Sequence, residues 1–201
     1  MKQTNHNITA IILAAGLSRR MEGQNKLLLP FQDQTLIKTV TDKVVSTGFN
    51  DIIVITGHEK ERIEESLKNC PVKIIWNPEY AQGMSTSIKA GILSSKPGTN
   101  GYMIFLADMP FITKKIIKII IETFYSSSPR AIVVPLYKSR RGNPVLFSKV
   151  YQEELLALKG DTGGRSIVEN HEDEVIEVPI SDQQPISDID TWDDYKKLNM
   201  V

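Results

Sequence analysis

The chain has 201 residues, with 24 basic and 24 acidic side chains and a formal net charge of zero. That length can bury a sizeable core in one domain with at most a small appendage, and the charge balance removes a general drive toward nucleic acid or anionic lipid. A single cysteine, Cys70, excludes an internal disulfide. With no signal-peptide pattern, this points to the cytoplasm, and no apolar run is long enough to span a bilayer.

The first element is an apolar run at Ile8–Leu13, which reads as a buried strand. It leads directly into LAAGLSRRMEGQNK. Ala14, Ala15, Gly16 and Ser18 are small enough for backbone N–H groups to approach phosphate oxygens. Arg19, Arg20 and Lys26 supply the charge that a triphosphate requires. The loop is neither GxxxxGK[ST] nor GxGxxG. Leu36, Ile37, Val40 and Val44 then repeat at helical spacing, with Gly48 as a C-cap. Further strands are expected at Asp51–Ile55, Val72–Trp76, Tyr102–Leu106, Ala131–Pro135 and Val175–Val178. Helices are expected at Glu59–Lys68, Met84–Leu93, Lys114–Phe124 and Ser148–Leu158. Arg140–Phe147 reads as a basic turn entering a short strand, and Gly160–Arg165 as a glycine-rich turn opening a helix. Strands alternating with helices predict one α/β domain with a mostly parallel sheet and a Rossmann-like nucleotide half, its ligands at the strand-end edge. His6, His58 and His171 lie far apart without metal-ligand spacing and are expected at the surface.

Five further segments carry candidate chemistry. Asp108, in MIFLADMP, ends a strand; it suits Mg²⁺ bridging to phosphates, or equally a turn-starting cap. Asp190, in DIDTWDD, is a second carboxylate for the same cation if it returns to the cleft; Asp190 or Thr191 is otherwise a cap for the last helix. In NPEYAQGMSTS, Gln82 has donors and an acceptor for a base edge and Gly83 permits close approach, whereas Ser85 is as much a cap as a contact. Arg140-Arg141-Gly142-Asn143-Pro144 and Gly160-Asp161-Thr162-Gly163-Gly164-Arg165 combine backbone N–H groups with guanidinium, a second anion-binding combination.

Together, LAAGLSRRM with its lysine, Asp108-Met109-Pro110 and DIDT resemble the nucleotidyltransferases that build molybdenum cofactors. The resemblance runs over nearly the whole chain. QGMSTSIKAG, RGNPVLF and GDTGGRSI resemble in particular the molybdenum cofactor cytidylyltransferases, a branch that includes purine-catabolism accessory proteins serving xanthine dehydrogenase. The guanylyltransferases typically carry LAGG where this chain has Leu13-Ala14-Ala15-Gly16.

The resemblance implies a three-layer nucleotidyltransferase fold. The nucleotide-binding half would span about 1–110 and the acceptor-binding half about 111–201 of one domain. It also implies transfer of CMP from CTP to the terminal phosphate of a molybdopterin cofactor, with Mg²⁺. An apo xanthine dehydrogenase-type hydroxylase is the implied recipient. By the same resemblance Leu13, Ala14, Ala15, Gly16, Gln82, Gly83 and Ser85 border the nucleotide, and Arg20 and Lys26 hold its triphosphate. Asp108 and Asp190 hold the metal, so Arg20, Lys26 and Asp108 form the catalytic set. Arg141, Gly142, Asn143, Pro144, Gly160, Asp161, Gly163, Gly164 and Arg165 face the pterin phosphate. Two letters depart from the family pattern. Glu22 replaces a glycine after Arg-Met, and Trp192 replaces a proline after DIDT. Rival readings are a guanylyltransferase, a sugar- or methylerythritol-phosphate nucleotidyltransferase, a non-catalytic cofactor carrier and a regulatory nucleotide-binding module.

Overall fold

A computed structural model of the chain describes residues 7–18, 20–21, 23–181 and 188–198. Its centre is an eight-stranded sheet. The first strand, β1 (Ile8–Ala14), pairs in parallel with β4 (Asp51–Thr56) on one side and β6 (Gly101–Leu106) on the other. Beyond β4 lies parallel β5 (Lys73–Trp76). Beyond β6 lies β9 (Val145–Ser148), which runs antiparallel to both β6 and β7 (Ile132–Tyr137). β10 (Val175–Pro179) closes that side parallel to β7, and short β8 (Arg140–Arg141) pairs antiparallel with β7. A small hairpin, β2 (Pro30–Phe31) and β3 (Gln34–Thr35), follows the first loop. The mostly parallel expectation therefore holds, with antiparallel β9 inserted where sequence periodicity cannot read direction.

The alternation of side chains along the strands builds two cores. Ile8, Ala10, Ile12, Ile52 and Val54 face α1 (Leu36–Val45), α2 (Lys60–Ser66) and α4 (Lys114–Tyr125). Ile11, Ile53 and Ile55, one residue out of phase, face α3 (Met84–Leu93), α5 (Gln152–Ala157) and α6 (Arg165–Asn170). Helices on both faces of one sheet make the fold a three-layer α/β structure. His58 and His171 are half-buried rather than exposed: His171 packs on the Tyr151 ring and bonds Glu154. His6 lies outside the described residues.

Strand order positions the site. The chain moves from β1 outward through β4 to β5, then crosses to β6 on the other side of β1. The loops after β1 and β6 diverge at this switch point, and the crevice between them lies outside the carboxyl ends of parallel strands.

A third apolar cluster sits beside that crevice. Met21, Leu29, Phe31 and Leu36 are buried there under Ile189, with Phe111, Trp192 and Tyr195 against them. The last helix, α7 (Trp192–Leu198), is thereby held over the first loop, and the Tyr195 hydroxyl donates to the Pro30 carbonyl at 2.5 Å.

Candidate active site

The crevice is an open cleft of about 680 Å³. Leu13, Ala15, Gly16, Arg20 and Lys26 line it from the first loop, Gln82 and Gly83 from the segment before α3, Asp108 from the end of β6, and Asp188 and Asp190 from the C-terminal strap. Residues 170 positions apart in the chain thus meet at one sheet edge.

Each key side chain arrives by a local device. Lys26 opens a 3-10 turn capped by Asn25, whose side chain accepts from the Leu27 N–H at 3.1 Å. The Lys26 N–H donates to Ser18 Oγ at 3.1 Å, which closes the loop on itself. Asp108 is not a helix cap. That task falls to Thr113, whose side chain accepts from Ile116 N. The Asp108 carbonyl instead accepts the Ile189 N–H at 3.1 Å, pinning the strap to the end of β6. Thr191, not Asp190, caps α7. Its hydroxyl accepts from the Asp194 N–H at 3.2 Å, and the Asp194 carboxylate accepts the Thr191 N–H at 3.0 Å. That reciprocal pair is a capping box, and it leaves the Asp190 carboxylate free for the cleft.

The charged groups converge. Lys26 Nζ lies 2.5 Å from Asp108 Oδ2 and 2.9 Å from Asp190 Oδ1, and Arg20 Nη1 lies 2.8 Å from Asp190 Oδ2. The Lys26 and Asp108 side chains are 14% and 16% exposed. Burial works against charge on Lys26, but Asp108 and Asp190 outweigh it and raise the ammonium above its ordinary range. Burial also pushes the Asp108 carboxyl up; Lys26 offsets part of this, and neighbouring Asp188 adds to the rise. Arg20 is 71% exposed, so its ion pair with Asp190 contributes little to stability.

A divalent cation fits this donor set. Asp108 Oδ2 is occupied by Lys26, while Oδ1 is buried with no hydrogen-bond partner. An orphaned carboxylate oxygen beside a second carboxylate suits a hard cation that keeps waters and binds phosphate oxygens. Asp190 already accepts from Arg20 and Lys26, one bond per oxygen, and each oxygen has a further lone pair.

Other expected residues are placed differently. Ala14 is buried at the end of β1 and does not line the cleft. Ser85 is buried behind the wall, where its N–H donates to the Gly160 carbonyl at 3.2 Å; Ser87, two residues on, lines the cleft instead. Within the acceptor set, Asp161 lines the cleft, and its Oδ1 accepts the Met84 N–H at 3.2 Å. Arg141 lies away from it, bound to both oxygens of Glu172 at 2.7 Å and to Glu177 at 2.8 Å. Gly142, Asn143 and Pro144 do not line the cleft, and Arg165 turns to Glu169 on its own helix.

Gly163 and Gly164 have a packing reason, against Met84 and Phe147, whereas Gly160 has open space around it and a left-handed φ of +63°. A Cβ on Gly83, at φ +117°, would sit 2.3 Å from the Gly160 backbone, and one on Gly164 would sit 2.4 Å from the Phe147 ring. The turn is pressed against the N-terminus of α3 and satisfies the donors there. Asp188, in the same DIDT segment but without a role assigned from the sequence, lines the cleft two positions before Asp190. Arg19 and Glu22 lie outside the described residues.

A family model described as a MobA-like NTP transferase domain matches residues 10–175. This chain belongs to the MobA-like NTP transferase family. Within that family it is 33% identical over 193 residues to the molybdenum cofactor cytidylyltransferase of Escherichia coli (strain K12), covering 94% of this chain and 93% of that protein. It is 26% identical to the purine catabolism protein PucB of Bacillus subtilis (strain 168), covering 94% of each. Among solved structures, Rv0371c of Mycobacterium tuberculosis superposes with a TM-score of 0.84 at 28% identity, over 99% of this chain and 100% of that one. A second structure of Rv0371c is a complex with manganese. A MobA-like NTP transferase is a nucleotidyltransferase, and the convergence of Arg20, Lys26, Asp108 and Asp190 gives this member a cleft with the charges such chemistry uses.

Proposed function

We propose that the chain transfers CMP from CTP to the terminal phosphate of a molybdopterin-type cofactor and releases pyrophosphate. The observation that carries this reading is Lys26 held between Asp108 and Asp190 at the mouth of the switch-point crevice. The likeness to a cytidylyltransferase over nearly the whole chain supports the choice of base and acceptor. In this reading the protein is one transfer unit, with residues about 1–110 serving the nucleotide and about 111–201 the acceptor.

The attacking phosphate oxygen forms a bond to the α-phosphorus of CTP. The bond from that phosphorus to the bridging oxygen breaks, and its electron pair leaves with pyrophosphate. The nucleophile is already anionic, so catalysis depends on positioning and charge neutralisation. Backbone groups at Leu13, Ala15 and Gly16 approach the nucleotide, with Gln82 and Gly83 at the base. Lys26 and Arg20 turn from the carboxylates to the triphosphate and stabilise charge on the departing pyrophosphate. Asp108 and Asp190 would hold Mg²⁺, which supplies Lewis-acid neutralisation between the two phosphate groups. Asp161 is the acceptor-side residue that reaches the cleft. The product would pass in the cytoplasm to an apo hydroxylase of the xanthine dehydrogenase type, a reading supported by the likeness to a purine catabolism protein.

The test is incubation with molybdopterin cofactor, Mg²⁺ and each of CTP, GTP, ATP and UTP, following pyrophosphate. Release with CTP alone is expected. A preference for GTP reassigns the base, and cofactor binding without pyrophosphate from any nucleotide replaces catalysis with delivery.

A further inference from the structure

Asn77 is 4% exposed and pinned on every side. Its N–H donates to the Thr56 carbonyl at 2.8 Å, at the end of β4. Its side-chain Oδ1 accepts the Glu79 N–H at 3.0 Å. A backbone N–H only donates, so this bond fixes which way the amide faces. The two protons on Nδ2 therefore point at Thr86 Oγ1, 2.8 Å away, and Ser87 Oγ, 3.0 Å away.

Those bonds set the direction of two hydroxyls. Thr86 accepts from Asn77 and gives its own proton to a carbonyl, Gly83 at 2.9 Å or Glu79 at 3.1 Å. Ser87 accepts from Asn77 as well, which leaves its proton free. A helical serine usually returns that proton to the carbonyl four residues back. Here that carbonyl is Gly83, which already receives the Thr86 N–H at 3.2 Å and lies against the Thr86 hydroxyl. Among the described residues nothing takes the Ser87 proton, and Ser87, 5% exposed, lines the cleft.

We propose that Asn77 is a positioning residue that locks Ser87 as a hydrogen-bond donor into the cleft, so that this wall takes a nucleotide through an acceptor atom, a carbonyl oxygen or an unprotonated ring nitrogen. The inference rests on the nucleotide-binding reading of the cleft and adds a direction to it. Replacing Asn77 by aspartate keeps the shape and the bond from Glu79 but turns both donors into acceptors. The Ser87 and Thr86 protons then swing onto the new carboxylate, and Ser87 no longer donates to a ligand.

The test is calorimetric titration of CTP with Mg²⁺ into the full chain, for wild type, Asn77→Asp, Ser87→Ala and the double variant. Pyrophosphate kinetics and thermal melting accompany each. Both single variants are expected to weaken CTP binding and raise KM roughly five- to tenfold, the effect of one lost neutral hydrogen bond. Turnover at saturation stays within about twofold on the same basis. The double variant binds no more weakly than either single one, because both remove the same bond. Wild-type affinity in Asn77→Asp, or a further loss when it is added to Ser87→Ala, overturns the proposal. If Asn77→Asp does not fold, unchanged affinity in Ser87→Ala overturns it alone. A wild-type protein that binds no nucleoside triphosphate removes the function reading together with this one.

Discussion

Lys26 meets two carboxylates at once through its ammonium, and its backbone N–H donates to Ser18 Oγ across the loop. The ammonium is mostly buried, stays charged because Asp108 and Asp190 face it, and leaves Asp108 Oδ1 as the one oxygen of that carboxylate without a donor. Asp108→Ala removes the orphaned oxygen together with the partner of Lys26. Pyrophosphate release in that variant is expected to fall at least a hundredfold, the scale seen when a group stabilising transition-state charge is lost. Melting should move only a few degrees, because Asp190 still pairs Lys26. Wild-type turnover in folded Asp108→Ala would remove Asp108 from the chemistry. At this scale the sequence offered Arg20, Lys26, Asp108 and Asp190 as charged candidates, with a cap as the equal alternative for Asp108; their meeting in one ion-pair cluster belongs to the fold. Ser87 was not legible there, because its bonding to Asn77 distinguishes it from Ser85, and that bond joins two elements.

The last helix shows how a short element frees a functional residue. Thr191 and Asp194 cap each other, so Asp190 need not cap anything. The hydrogen bonds from Thr191 hold the Asp194 carboxyl below its ordinary range. A carboxyl with a lowered folded pKa adds stability above its unfolded pKa and loses it as pH falls through the folded value. Acid below the ordinary carboxylate range should therefore loosen α7. Thr191→Ala should weaken its docking by about 1 kcal/mol and lower turnover through Asp190. Trp192 fluorescence in a Trp76→Phe background reports both, and an unchanged acid transition in Thr191→Ala would argue against the cap. α3 is handled differently: Asp161 and Gly160 satisfy its first N–H groups from the C-terminal third. Its N-terminus is thereby taken up by protein groups, and Gly83 is required for the close approach.

For the whole molecule, the sheet and the strap are separable. The two main cores lie on the faces of the sheet, whereas Met21, Leu29, Phe31 and Leu36 form a side cluster covered by Ile189. Ending the chain at Ser181 should preserve the α/β circular dichroism spectrum, lower the melting temperature and abolish pyrophosphate release, since Asp190 leaves and Lys26 keeps one partner. Retained turnover would show that the strap is dispensable.

The sequence by itself determined the element types and the mostly parallel sheet, and it offered a phosphate-suited first loop and two aspartates that could share a cation only if the fold brought them together. These follow from periodicity and from residue chemistry next to strand ends, which are local properties. The tertiary structure alone decided the antiparallel course of β9 and the meeting of Asp190 with Lys26. It also took Arg141 into ion pairs with Glu172 and Glu177, away from the cleft. The glycines of 160–164 read in sequence as an anion-binding turn; in the fold Gly163 and Gly164 are small because Met84 of α3 and Phe147 press against them. The physical reason is the same in each case. A hydrogen bond or a close packing contact depends on what another segment brings to that point, and strand order rather than local sequence sets which segments meet.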